Sequence, residues 1–134
     1  MKHCMLDTNT VSLIIRNHPV VTKHLAAMPV DAVCISVVTA AELLYGLAKR
    51  PEAHRLHNLV TTFLHHVDVL PWDSDAANSY AGLRANYEKQ GTSLAALDML
   101  IAAHAVATDN VLITNDQAFR HVTKQLKTKD WTKS

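Results

Sequence analysis

Apolar residues along this chain follow two different periods. Short apolar runs, His3-Cys4-Met5-Leu6, Val33-Cys34-Ile35-Ser36, Val67-Asp68-Val69-Leu70 and Val111-Leu112-Ile113-Thr114, read as buried strands. Between them, apolar positions recur every three or four residues and read as helices. Val11, Leu13, Ile14 and Ile15 predict a helix over 8–16, launched from a Thr8-Asn9 cap and closed near Asn17-His18-Pro19. A second short helix covers 20–28. Thr39-Ala40-Ala41-Glu42 has capping-box spacing, which places the start of a third helix there and its end near Lys49. Pro51 breaks the pattern, helical periodicity resumes over 52–66, and Pro71 precedes a helix over 75–90 that Gly91 terminates. Thr92 or Ser93 caps an apolar helix that runs through Leu97, Leu100, Ile101 and Ala105 to about Thr108. A helical turn over 117–121 and a basic tail over 124–133 complete the chain. Strands alternating with helices predict an α/β fold: a short parallel sheet of four to five strands, right-handed crossovers and helices on both faces, in one domain over residues 1–134.

Composition supports this picture. Of 134 residues 49% are apolar and 5% aromatic, with 3 Gly and 4 Pro, which excludes disorder and a turn-rich all-β fold. No apolar run approaches the ~18 residues of a membrane span, and the N-terminus has no signal core, so a cytoplasmic protein without membrane contact is expected. Cys4 and Cys34 sit inside strand-like runs and read as buried thiols.

The first strand stops on a carboxylate, Asp7, and the last on Thr114-Asn115-Asp116. In open parallel sheets the carboxyl ends of strands form the rim where ligands bind, so both acids are placed for chemistry. Each also has a plainer role as a helix N-cap contributing ~1 kcal/mol. Asp98 is harder to explain away. Three and four residues from it along the helix stand Leu94, Ala95, Ile101 and Ala102, so its carboxylate lies on an apolar face, where an unpaired charge costs several kcal/mol. Glu42 is covered by the capping box and needs no cation on that evidence. Taken together the four favour a metal, because two carboxylates ~4 Å apart repel by about 4 kcal/mol at an effective dielectric near 20. All-oxygen ligands select Mg²⁺ or Mn²⁺, and such an ion activates water and neutralises charge on a phosphodiester. Asn9, Thr114 and Asn115 are neutral groups able to support the acids.

Charge then becomes informative. Net charge is only +1, but with four of the 12 acids screened by a cation, eight face 13 Lys and Arg and the remainder is about +5, a surface suited to phosphates. Arg16, Lys49, Arg50 and Arg84 are candidates to steer a phosphate-bearing substrate, but solvated helix faces explain them equally well and they stay outside the site. Zinc is disfavoured: His54-x-x-His57 and His65-His66 lack an HExxH or Cys-rich partner. His104 lies six residues from Asp98, on another helix face, and reads as packing or surface. There is no Gly-rich phosphate loop and no G-x-S-x-G, and Asp7-x-Asn9 lacks the second acid of aspartyl-phosphate hydrolases. Leu43, Leu44, Tyr45 and Leu47 leave the third helix apolar around most of its circumference, which suggests a partner or self-interface beyond the core.

Met5-Leu6-Asp7-Thr8-Asn9, Ala41-Glu42-Leu43-x-x-Gly46, Gly91 followed by Asp98-x-x-Ile101-Ala102-Ala103, and Ile113-Thr114-Asn115-Asp116-x-x-Phe119 together resemble the PIN-domain ribonucleases, and within them the VapC-type toxins of toxin-antitoxin pairs. The resemblance covers nearly the whole chain. It implies a PIN-like three-layer α/β/α fold and a Mg²⁺- or Mn²⁺-dependent endoribonuclease with Asp7, Glu42, Asp98 and Asp116 as its catalytic and metal-binding acids. It further implies a homodimer, RNA as substrate with initiator tRNA favoured, and neutralisation by a cognate antitoxin through which alone operator DNA is contacted. The rival reading is a non-catalytic PIN-like binding module in which the acids only cap helices.

Overall fold

A computed structural model of the chain describes residues 3–91, 94–122 and 124–133. The elements follow in the order β1 (His3–Leu6), α1 (Thr8–Ile15), α2 (Pro19–Ala26), β2 (Val33–Ser36), α3 (Val37–Ala48), α4 (His54–His66), β3 (Asp68–Leu70), α5 (Ser74–Lys89), α6 (Ala96–Ala107), β4 (Asn110–Ile113) and β5 (Thr128–Lys129), with 3₁₀ turns at Val30–Ala32 and Gln117–His121. The strands form one parallel sheet in the order β3-β2-β1-β4-β5. From β1 the chain first builds outward through β2 and β3, then crosses back to lay β4 on the other side. The order therefore reverses between β1 and β4, and their carboxyl ends open the crevice where such sheets bind ligands.

Strand alternation divides the interior into two layers. Met5, Cys34 and Leu112 point to one face, packed by Met99, Ile101 and Ala105 of α6 and by Leu83 and Tyr87 of α5. Leu6, Ile35 and Ile113 point to the other, packed by Val11 and Val21 of α1 and α2 and by Leu43, Leu47 and Val60 of α3 and α4. The result is a three-layer α/β/α architecture.

Three sequence expectations are corrected. The third helix does not start from a capping box at Thr39 and Glu42. Strand β2 runs into α3 without a loop, and Ser36, its last residue, caps the helix by accepting from the Val38 N–H at 3.1 Å. Thr39 and Glu42 thus fall inside the helix, and their spacing is that of neighbours on its surface. The cap of α1 is Asp7, not Thr8 or Asn9, which are already helical. The basic tail is not only a tail, because Thr128–Lys129 adds β5 beside β4.

The proposed caps Thr92 and Ser93 lie outside the described residues. Helix α6 begins at Ala96 with Ala95 in the cap position, which offers no side-chain bond. Gly91 does close α5, at φ +72°, a left-handed conformation that glycine adopts without steric cost. His104 is buried under the rim, its Nδ1 2.8 Å from the Ser36 hydroxyl. Burial holds its pKa below the usual histidine value, with Asp73 and the Pro71 carbonyl opposing, so the ring stays neutral. Among the described residues no helix is long and apolar enough to cross a membrane.

Candidate active site

Asp7 follows β1 directly, and its position is fixed from two sides. Its backbone N–H donates to the Ile113 carbonyl of β4 at 3.1 Å, and its Oδ1 accepts from the Thr10 N–H at 2.8 Å, capping α1. Asp7 is only 4% exposed. Burial pushes its pKa up, the hydroxyls of Thr10 and Thr114 pull it back, and the charge of Asp116 adds a smaller upward push. Thr10, in the first turn of α1, and Thr114, just after β4, are buried polar side chains. Thr10 also donates to the Ile113 carbonyl at 3.0 Å, tying the two strand ends together.

Asp116 stands at the other strand end, exposed, with its N–H on the Thr114 hydroxyl at 3.0 Å and its Oδ1 accepting from the Ala118 N–H at 2.9 Å. It caps the following 3₁₀ turn, as Asp7 caps α1. Asn9 Nδ2 donates to Asn115 Oδ1 at 2.7 Å across the same gap. Capping is thus a real task for both strand-end acids, and it aims each carboxylate at the rim instead of competing with a role there.

Glu42 gains weight from the corrected start of α3. With Ser36 as the cap, no helix-end function accounts for it, and its Oε1 accepts from the Thr8 hydroxyl at 2.6 Å. Thr39 Oγ1 lies 3.3 Å from the same hydroxyl. Thr8 is the residue that sequence reasoning missed, because it was assigned to a cap. Placing Asp7 at the cap would have put Thr8 on the first helical turn facing α3.

Asp98 sits half-buried in the first turn of α6. Its carboxyl is pushed up to about 6, first by burial and then by the charges of Glu42, Asp116 and Asp7. Glu42 on α3 and Asp7 and Asp116 in the segments after β1 and β4 are therefore close enough for their charges to act on Asp98 at one rim. Among the described residues no three Asp, Glu, His or Cys side chains stand together as a ready ligand set. The donors gathered at this rim are oxygens throughout, the chemistry that a hard ion such as Mg²⁺ takes, with water completing its shell. Two of the four histidines of α4 are engaged otherwise: His57 Nε2 lies 2.9 Å from the Arg50 carbonyl and His66 Nδ1 2.8 Å from that of Thr62.

Known proteins resemble this chain along most of its length. The PIN domain family profile matches residues 4–125. The chain is 32% identical over 128 residues to the tRNA(fMet)-specific endonuclease VapC of Shigella flexneri, covering 96% of this chain and 97% of that protein. Ribonuclease VapC2 of Haemophilus influenzae is 30% identical over 128 residues, covering 95% and 96%. Among solved structures, DNA-bound VapBC from Salmonella typhimurium superposes with a TM-score of 0.89 at 32% identity over 98% of this chain and 99% of its own. VapBC2 from Rickettsia felis, bound to a promoter DNA fragment, gives 0.87 at 27% over 96% and 98%.

Proposed function

The chain belongs to the PIN-domain family, and from that premise we propose that it is a metal-dependent endoribonuclease toxin that hydrolyses RNA phosphodiester bonds in the cytoplasm. The observation that carries this reading is the convergence of acids from separate elements on one rim, where burial first, and then the charges of Glu42, Asp116 and Asp7, push the Asp98 carboxyl up. Asp7, Asp98 and Asp116 would hold Mg²⁺ or Mn²⁺, with Glu42 as a further ligand or as the group that orients water. Once bound, the ion neutralises charge on the scissile phosphate and makes the attacking water more acidic.

The chain's own residues supply the positioning. Thr10 and Thr114 hold the Asp7 carboxylate rigid, and Thr8 fixes one oxygen of Glu42, leaving its other oxygen to accept a proton or a water. The Asn9–Asn115 pair offers further polar groups beside the acids. As a binding module only, the protein would use Asp7 and Asp116 as caps and Glu42 to tie α3 to α1, but that reading leaves the crowding of charge around the half-buried Asp98 without a purpose.

The names of the relatives support tRNA, with initiator tRNA first, as the substrate class. The DNA-bound VapBC complexes support a cognate antitoxin as partner, and we propose that it neutralises the chain and alone contacts operator DNA. Incubating the purified, antitoxin-free chain with a bacterial tRNA pool and Mg²⁺ should yield discrete fragments cut within the chain. A pool left intact in both Mg²⁺ and Mn²⁺ would sink the nuclease reading.

A homodimer is the remaining element. Leu43 and Leu47 of α3 face the core, but Val37 and Leu44, seven residues apart on one stripe, are 41% and 53% exposed and Tyr45 is 63% exposed. Such a stripe on a helix that already fills its core face suits a twofold contact. Light scattering should give a dimer for the wild type and a monomer for Leu44→Glu; a monomeric wild type at micromolar concentration would refute the assignment.

A further inference from the structure

Gly46 stands inside α3, one turn beyond Glu42 on the same face. Glycine in a helix interior costs stability relative to alanine, so its presence asks for a cause. Crowding is not that cause, because a Cβ added there would meet no heavy atom within 4 Å. The space belongs instead to a cavity of about 350 Å³ between α1, α3 and α4, whose lining includes Thr8, Glu42, Gly46, Arg16, Lys49 and Arg50.

The basic residues of the chain divide at this point. Arg84 on α5 is engaged, 3.3 Å from Glu88 and donating to the Tyr80 hydroxyl at 2.7 Å. Arg16, Lys49 and Arg50 are exposed at the cavity, and among the described residues none is within ion-pair distance of a carboxylate. Arg16 Nε reaches only the Ser12 carbonyl, at 3.4 Å, and the Lys49 ammonium lies 4.6 Å over the Tyr45 ring. Three cations with no carboxylate partner among the described residues thus line one hollow, together with Glu42, an acid of the candidate site.

A nucleic-acid strand carries a phosphate about every 3.4 Å of duplex axis, so RNA cut at the acids must lay its neighbouring phosphates on adjoining surface. We propose that this cavity is the subsite for the RNA phosphates flanking the scissile bond, with Arg16, Lys49 and Arg50 as positioning residues and Gly46 as the clearance that lets the ribose-phosphate backbone approach the helix. This deepens the ribonuclease reading and rests on it. Charge complementarity selects the occupant: cations at the mouth and backbone clearance beside Glu42 fit a polyanion threading toward the acids.

The test combines steady-state cleavage of a tRNA pool with binding of the same pool to the Asp98→Asn variant across a salt series. Arg16→Ala, Lys49→Ala and Arg50→Ala should each raise the apparent KM about fivefold with kcat nearly unchanged, and each should flatten the salt slope by about 0.7 to 1. Gly46→Ala should raise KM similarly while melting about 3 °C higher. Arg84→Ala should behave as wild type. Wild-type KM and salt slope in the three basic variants would overturn the subsite, and would do so equally if they lost only the binding of an acidic partner protein. A lower melting temperature for Gly46→Ala would also overturn it, since the gap would then be packed by the chain itself. A wild type that neither cuts nor binds tRNA would sink the ribonuclease reading as a whole, a result distinct from cleavage that ignores the cavity.

Discussion

Asp98→Asn should lose cleavage by about 10³-fold, roughly 4 kcal/mol of transition-state stabilisation, while melting several degrees above the wild type in metal-free buffer. The two effects have one origin. Its carboxyl is raised from 3.8 to about 6, and a shift of that size is worth about 3 kcal/mol. The group is only half-buried, so solvent screening reduces this to about 1.5 kcal/mol. Asp98 also sits in the first turn of a helix whose cap residue, Ala95, makes no side-chain bond, where a negative charge gains ~0.5 kcal/mol from the helix dipole. The net penalty of about 1 kcal/mol corresponds to a rise of about 3–5 °C on neutralisation. The sign of its pH dependence follows. An acid whose folded-state pKa lies above its unfolded value holds its proton more tightly when folded, so its penalty is absent below about pH 4, grows through 6 and is complete above. The melting advantage of the variant should therefore be full at pH 7 and vanish near pH 4. The neutral His104, whose lowered pKa makes acid destabilising, is common to both proteins and cancels in the difference. Equal or lower melting of Asp98→Asn at pH 7 would mean that a structural partner already satisfies the carboxylate.

Chelation should have the second largest effect. Excess EDTA should reduce tRNA cleavage to background, and Mg²⁺ or Mn²⁺ added beyond the chelator should restore it. The same ions should raise the wild-type melting temperature, because a ligand bound only by the folded state at about tenfold its Kd stabilises by roughly 1.4 kcal/mol. Asp98→Asn should lose most of that rise. Carboxylates must be deprotonated to ligate, so the metal needed for half-maximal stabilisation should increase as pH falls through about 6. Cleavage that survives excess EDTA, with purity established, would exclude a metal-dependent mechanism.

Much of the site is legible along the chain because its signals are local. Asp7 and Asp116 each end an apolar run, and a strand end in a parallel sheet has only one rim to face. Asp98 interrupts an apolar helical stripe, which the burial cost of a charge makes conspicuous. Glu42 was less legible, since Thr39-x-x-Glu42 satisfies a capping rule that the fold does not use. The true cap, Ser36, lies inside the strand run, where a serine fully buried beneath His104 has no sequence signal. Thr8 was hidden for the complementary reason: its partner is 34 residues away. The short strand β5 escaped detection because two residues carry no period.

The sequence by itself determined the layered α/β architecture and singled out the four acids for which we propose hard-ion chemistry, since hydrophobic period and side-chain type act over a few residues. Only the tertiary structure decided that Asp7 rather than Thr8 caps α1, that Thr8 holds Glu42, and that the charges of Glu42, Asp116 and Asp7 converge on Asp98. It alone also separated Arg84 from Arg16, Lys49 and Arg50. Electrostatic coupling and cavity shape depend on distances across the sheet, and those are set by the packing of every layer at once.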